Sequence, residues 1–144
     1  MGRTSNQSAG DIQDIESKKG KKIYEKMGQL VKNWGQEYLG ESGYSNLGAV
    51  VGATYPQELN QLRSLMPGVF FLIPGYGAQG GGAKDVAVGF DKDGLGAVVN
   101  SARGIIFSYR KNDRYNEKEF AIAAKDAAKI MKKSVNRAIE KFHS

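Results

Sequence analysis

Three short apolar runs, Leu47 to Val51, Val69 to Ile73 and Ala97 to Val99, alternate strictly with stretches of helical periodicity. Strand, helix, strand, helix at these connection lengths means parallel strands joined by right-handed crossovers. The runs read as continuous and partly β-branched, the pattern of strands buried on both faces. Between them, Ile23, Met27, Leu30, Val31, Trp34 and Tyr38 recur at spacings of three and four within Lys21 to Tyr38, placing Met27 and Trp34 in the core. Gly40 and Gly43 stop that helix. Thr54 and Gln57 form a capping-box pair with Pro56 in the first turn, opening a helix that sets Leu59, Leu62, Leu65 and Met66 on one side and ends at Pro67-Gly68. A final helix opens on Asn116 and Glu119 and buries Phe120, Ala123, Ala124, Ala127, Met131, Val135, Ala138 and Phe142.

Each of the last two strands delivers a distinctive loop. After Ile73 comes Pro74-Gly75-Tyr76-Gly77-Ala78-Gln79-Gly80-Gly81-Gly82, then Ala83-Lys84-Asp85, which can open a short helix. Glycines at 75, 77, 80, 81 and 82 let successive amides turn toward one small anion, so the stretch reads either as a phosphate cradle or as a plain glycine-rich loop. The loop Asn100-Ser101-Ala102-Arg103-Gly104, also at a strand end, favours the cradle. Strand starts near residues 47, 69 and 97 give a repeat of the size seen in (β/α)8 barrels, which bind phosphate at the loops after the last two strands. A whole barrel takes roughly 250 residues. This chain of 144 residues holds about half of one. Residues 3 to 10, polar and abrupt, fit the tail of a strand whose body lies elsewhere, and Asp11 to Glu16 a short lid or turn.

Composition removes several chemistries. The chain has no cysteine and a single histidine, His143, next to its end, so nucleophilic thiols, histidine catalysis and clustered metal ligands are set aside. Any chemistry falls to Lys, Arg, Asp, Glu or backbone dipoles. The net charge of +6 is spread along helices; between Asn116 and Ser144 seven basic residues face four acidic ones on the polar side of one helix. That is a solvated face with no nucleic-acid reading device. No apolar run spans a bilayer, no leader is evident, and position 6 is Asn where myristoylation needs Ser or Thr. The expectation is one cytoplasmic domain over residues 1–144, bound neither to membrane nor to nucleic acid.

Thr4-Ser5-Asn6, Val50-Val51-Gly52-Ala53-Thr54-Tyr55-Pro56, Pro74 to Gly81 and Asn100-Ser101-Ala102-Arg103-Gly104-Ile105-Ile106 together resemble the orotidine 5′-phosphate decarboxylases, in the longer bacterial subfamily. The blocks stand in the family's order and cover nearly the whole chain. The resemblance implies the C-terminal half of an α/β (β/α)8 barrel, from the end of strand five through helix eight. It implies an enzyme converting orotidine 5′-phosphate to UMP and CO2 in pyrimidine biosynthesis, with no metal or organic cofactor.

By the same resemblance Arg103 grips the substrate phosphodianion, Gln79 on the closing loop bonds the phosphate and reaches Ser5, and amides around Gly80 and Gly104 complete the pocket. Ser5 meets the pyrimidine amide edge and Pro74 packs near the ring. The family's Asp-x-Lys-x-x-Asp signature, whose lysine stabilises and protonates a ring carbanion, is absent, because no lysine here has an aspartate two positions before it. The expectation is therefore a chain that carries binding residues and no catalytic ones, inactive by itself. It is expected to be accompanied by the N-terminal half of its barrel or by a second copy, the whole enzyme being a homodimer. A non-catalytic nucleotide-binding module and a related sugar-phosphate barrel enzyme are the alternative readings.

Overall fold

A computed structural model describes residues 3, 4, 6–77, 79–111 and 113–144. The elements run α1 (Gly10–Gln13), α2 (Ile23–Gly35), β1 (Gly48–Val50), α3 (Pro56–Leu65), β2 (Phe70–Ile73), α4 (Ala83–Ala87), β3 (Ala97–Val99), α5 (Ala102–Ile106) and α6 (Phe120–His143). The strands form one parallel sheet in the order β1-β2-β3, with Val50, Leu72 and Val98 in one row and Ala49, Phe71 and Ala97 in the next. Arg3 bridges to Val51 in parallel, as expected of the tail of a further strand. The alternation read from the sequence is thus an α/β partial barrel.

The core lies between the sheet's outer face and the helices. Ala49, Val51, Phe71 and Ile73 pack there with Leu59, Leu62 and Met66 of the α3 segment, Val86 and Phe90 beyond β2, and Val135 and Ile139 of α6. Each large side chain so buried contributes about 1.5–3 kcal/mol. The opposite face is open: Phe70 is 40% and Leu72 39% exposed, and Val98 is exposed as well. This corrects the expectation of strands buried on both faces. β2 alternates, because among the described residues nothing covers the side that would line a barrel's interior.

Several local expectations also shift. α2 turns Tyr24, Gly28 and Gly35 inward, leaving Met27 half-buried and Trp34 52% exposed. The cause is close approach. A Cβ at Gly28 would stand 2.9 Å from Leu62 Cδ2, and one at Gly35 2.6 Å from Ser45 Oγ, so the helix docks through its glycines and its largest apolar residues lie beside the contact. α3 begins after Tyr55 with Pro56 as its first residue, and no side chain caps it, Thr54 included. The Asn116–Glu119 capping box forms as read, Lys118 N–H donating to Asn116 Oδ1 at 2.9 Å and Asn116 N–H to Glu119 Oε2 at 3.0 Å. In α6, however, only Ala123, Val135 and Ile139 are fully buried; Phe120 and Phe142 are exposed.

Two arginines are buried in this basic chain. Arg3, read from the sequence as part of a polar loop, is 2% exposed. Its Nε lies 2.5 Å from Glu58 Oε2, its Nη1 3.3 Å from Asp14 Oδ1, and its guanidinium stacks 4.3 Å from the centre of the Tyr55 ring.

Arg63, 6% exposed, gathers the beginnings of the strands. It donates to Val69 O at 2.8 Å, to Gly96 O at 3.2 Å and to Met66 O, pairs with Asp91 at 3.3 Å, and covers the Phe71 ring at 4.0 Å. Tyr44, just before β1, donates its hydroxyl to Asp91 Oδ2 at 2.7 Å. Gly96 has φ +80°, and a Cβ there would fall 2.2 Å from Asp91 Oδ2, so only glycine admits the carboxylate.

Burial, then the hydrogen bond and charge of Asp91, push the Tyr44 phenol from 10.0 up to about 12. A folded value above the unfolded one stabilises fully below pH 10 and is lost as pH rises toward 12. Tyr44→Phe is therefore expected to cost about 1 kcal/mol at neutral pH. In denaturant melts across pH, the gap between wild type and variant closes from pH 10 to 12.

Candidate ligand cleft at the strand ends

β2 and β3 end side by side, and the loops that follow them enclose a small cleft of about 90 Å³ lined by Pro74, Gly75, Tyr76, Gln79, Asn100, Ser101, Ala102 and Arg103. The glycine loop holds its shape through its own backbone. Gly77 N–H donates to Gly81 O at 2.8 Å, Gly80 N–H to Gly77 O at 3.0 Å and Gly81 N–H to Gly75 O at 3.1 Å. Gly75, at φ +103°, turns the chain at the strand end, and a Cβ there would sit 3.2 Å from Gln79 Oε1. Gln79 thus folds back over the turn. Ala53 N–H donates to Pro74 O at 2.9 Å, anchoring the start of the loop to the end of β1.

The second loop is shorter than its sequence suggests. Asn100-Ser101 leads directly into α5, so Ala102, Arg103 and Gly104 form the first turn of a helix where a loop was expected. Its first bond at this end runs from Ile105 N–H to Ser101 O at 3.0 Å. The preceding amides lie ahead of the helical ladder, as helix starts require. Among the described residues no carboxylate pairs with Arg103, which is exposed at the cleft.

Of the residues singled out in the sequence, Pro74, Gln79 and Arg103 line one cleft, with Gly104 in the same helical turn as Arg103 and Gly80 one residue beyond Gln79. The Gly80 amide is engaged inside the loop. Ser5, like Ala78 of the glycine block, lies outside the described residues. Sequence reasoning assigned no role to Tyr76 or Ser101. The Ser101 hydroxyl donates to Tyr76 O at 3.0 Å, joining the two loops. A serine ahead of a helix reads as an N-cap, and only the fold reveals its different partner. A larger hollow of about 460 Å³ lies between α4 and the end of α6, on the outer helix layer and away from the strand ends, and another of about 340 Å³ lies between β3, α5 and α6. Among the described residues no helix is long and apolar enough to cross a membrane.

Parallel strands wrapped by helices on one side, with a polar cleft at their C-terminal ends, define part of a (β/α)8 barrel. By sequence the chain is similar along nearly its whole length to proteins named orotidine 5′-phosphate decarboxylase, and its extent is consistent with their C-terminal half. It is 50% identical over 137 residues to that enzyme of Clostridium tetani, a match covering 95% of this chain and 46% of the relative. To the enzyme of Clostridium perfringens it is 45% identical over 139 residues, covering 96% and 47%. The structure of Leishmania donovani OMP decarboxylase superposes with a TM-score of 0.64 at 28% identity, over 93% of this chain and 45% of that one. The chain thus spans about half the length of the curated relatives it matches. No family model matches it.

Proposed function

We propose that this chain supplies the phosphate-binding loops and part of the pyrimidine site of an orotidine 5′-phosphate decarboxylase, which converts orotidine 5′-phosphate to UMP and CO2. The observation that carries the proposal is the meeting of Gln79 and Arg103 at one cleft, in a chain related along 95% of its length to proteins of that name. Arg103 holds the dianion through paired N–H donors, a geometry that guanidinium suits. Gln79 closes over it and Gly104 offers a first-turn amide. The Gly80 amide joins them only when its bond to Gly77 O opens, which ties phosphate binding to a rearrangement of the loop. Pro74 is assigned to the base side of the site, and so by the sequence resemblance is Ser5, which lies outside the described residues. Phosphate binding far from the reacting carbon provides energy that shapes the site around the transition state.

The lysine and aspartates of the family signature are not among these 144 residues. The proton donor is therefore assigned to the other half of the barrel, or to none if the chain works as a nucleotide-binding module. The open inner face, with Val50, Leu72 and Val98 in a row, and the outward Trp34 side of α2 suit coverage by that half or by a second copy. An exposed apolar sheet face is otherwise a liability in water.

One assay separates the readings. The 144 residues alone are expected to show no decarboxylation of orotidine 5′-phosphate and to regain it when the remaining half is supplied. Decarboxylation at enzymatic rate by these residues alone overturns the assignment of roles. Persistent inactivity of the reunited halves, with UMP binding intact, leaves the binding-module reading standing.

A further inference from the structure

We propose that Ser101 is a positioning residue that locks the glycine loop and the Arg103 helix into one binding unit, and that Gly104 is glycine because the Ser101 hydroxyl occupies the space its side chain would need. The proposal rests on the phosphate reading of the cleft. Ser101 is 8% exposed, and its hydroxyl donates to the carbonyl of Tyr76, in the middle of the glycine loop, at 3.0 Å. It stands immediately before α5 and yet makes no side-chain bond to that helix's amides. The hydroxyl oxygen that commonly accepts a first-turn N–H at this position makes no such cap, and its O–H is directed across the cleft instead. A Cβ at Gly77 would be 3.7 Å from the same hydroxyl oxygen, so the glycine loop passes directly over it. A Cβ at Gly104 would lie 2.5 Å from that oxygen, closer than any real contact, while Ser101 Cβ would be a comfortable 3.6 Å away. The obstacle at Gly104 is therefore the hydroxyl alone.

This pairing makes a double-substitution test decisive. UMP and uridine affinities are measured by calorimetry on the intact protein and on Ser101→Ala, Gly104→Ala and the double variant, with thermal melts confirming that each is folded. Ala at 104 keeps the amide offered to the phosphate. Ser101→Ala is expected to weaken UMP about three- to tenfold, the range of one hydrogen bond, with uridine little changed. Gly104→Ala, by pushing the hydroxyl off Tyr76 O, gives a loss of the same order. The double variant loses no more than Ser101→Ala, because the obstacle has gone.

A Ser101→Ala protein that melts lower but keeps the wild-type ratio of UMP to uridine affinity overturns the positioning role. Losses that simply add in the double variant overturn the account of Gly104. A wild-type protein that binds uridine as tightly as UMP overturns the phosphate reading itself, and this inference with it.

Discussion

Arg103→Ala is expected to weaken UMP binding on the order of a hundredfold while leaving the melting temperature within a degree or two of wild type. The first figure follows from the worth of hydrogen bonds to a charged group, about 1.5–3 kcal/mol, applied to a guanidinium and a dianion. The second follows from the environment: Arg103 is exposed, and no carboxylate among the described residues pairs with it, so removal leaves no buried charge behind. Arg103→Lys restores only part of the affinity, since an ammonium keeps the charge and loses the paired geometry. Titrations with UMP at two salt concentrations check both variants. Unchanged affinity in Arg103→Ala sinks the proposed role.

Arg63→Ala is expected to do the opposite, costing about 3–5 kcal/mol of stability with little direct effect on the cleft. The carbonyls of Met66, Val69 and Gly96 lose the guanidinium's N–H groups, those of Met66 and Gly96 keeping a backbone N–H from Val69 and Phe71, and among the described residues Asp91 keeps the Tyr44 hydroxyl as its side-chain partner. The Phe71 ring also loses the flat group that covers it. In a chain of this size the melting temperature falls by roughly 10 °C or more. Arg63→Met, which refills the volume without restoring the N–H donors to these carbonyls, recovers some of that loss. Chemical denaturation of both variants measures it, and a cost below about 1 kcal/mol shows that the strand starts do not depend on this residue.

The alternation of strands and helices was legible because it is written in local periodicity, and β3 at Ala97–Val99 matches the run read from the sequence. What covers each face was not. Phe70 and Leu72 have the same apolar character as Phe71 and Ile73, and only the absence of a neighbour among the described residues separates them. The docking face of α2 was misjudged for a related reason. Gly28 and Gly35 add nothing to an apolar stripe, but they permit the nearest approach, and that approach leaves Trp34 outside.

Arg63 and Asp91 meet only through the crossover that separates them, so no spacing rule announces their pair. For the cleft, the motif blocks named Pro74, Gln79 and Arg103, and the structure places the three at one hollow. The Ser101 hydroxyl bond to Tyr76 O depends on two strand ends lying adjacent, which periodicity does not encode.

The Arg63 cluster sits where the strands start and the cleft where they finish, separated by the four residues of β2, about 13 Å of extended chain. Foundation and candidate binding cleft therefore occupy different floors of the same building. Loop residues at the upper end can drift toward new specificities while the lower end keeps the scaffold upright, and a mutational scan of the two regions would show folding defects clustering below and altered ligand preference above.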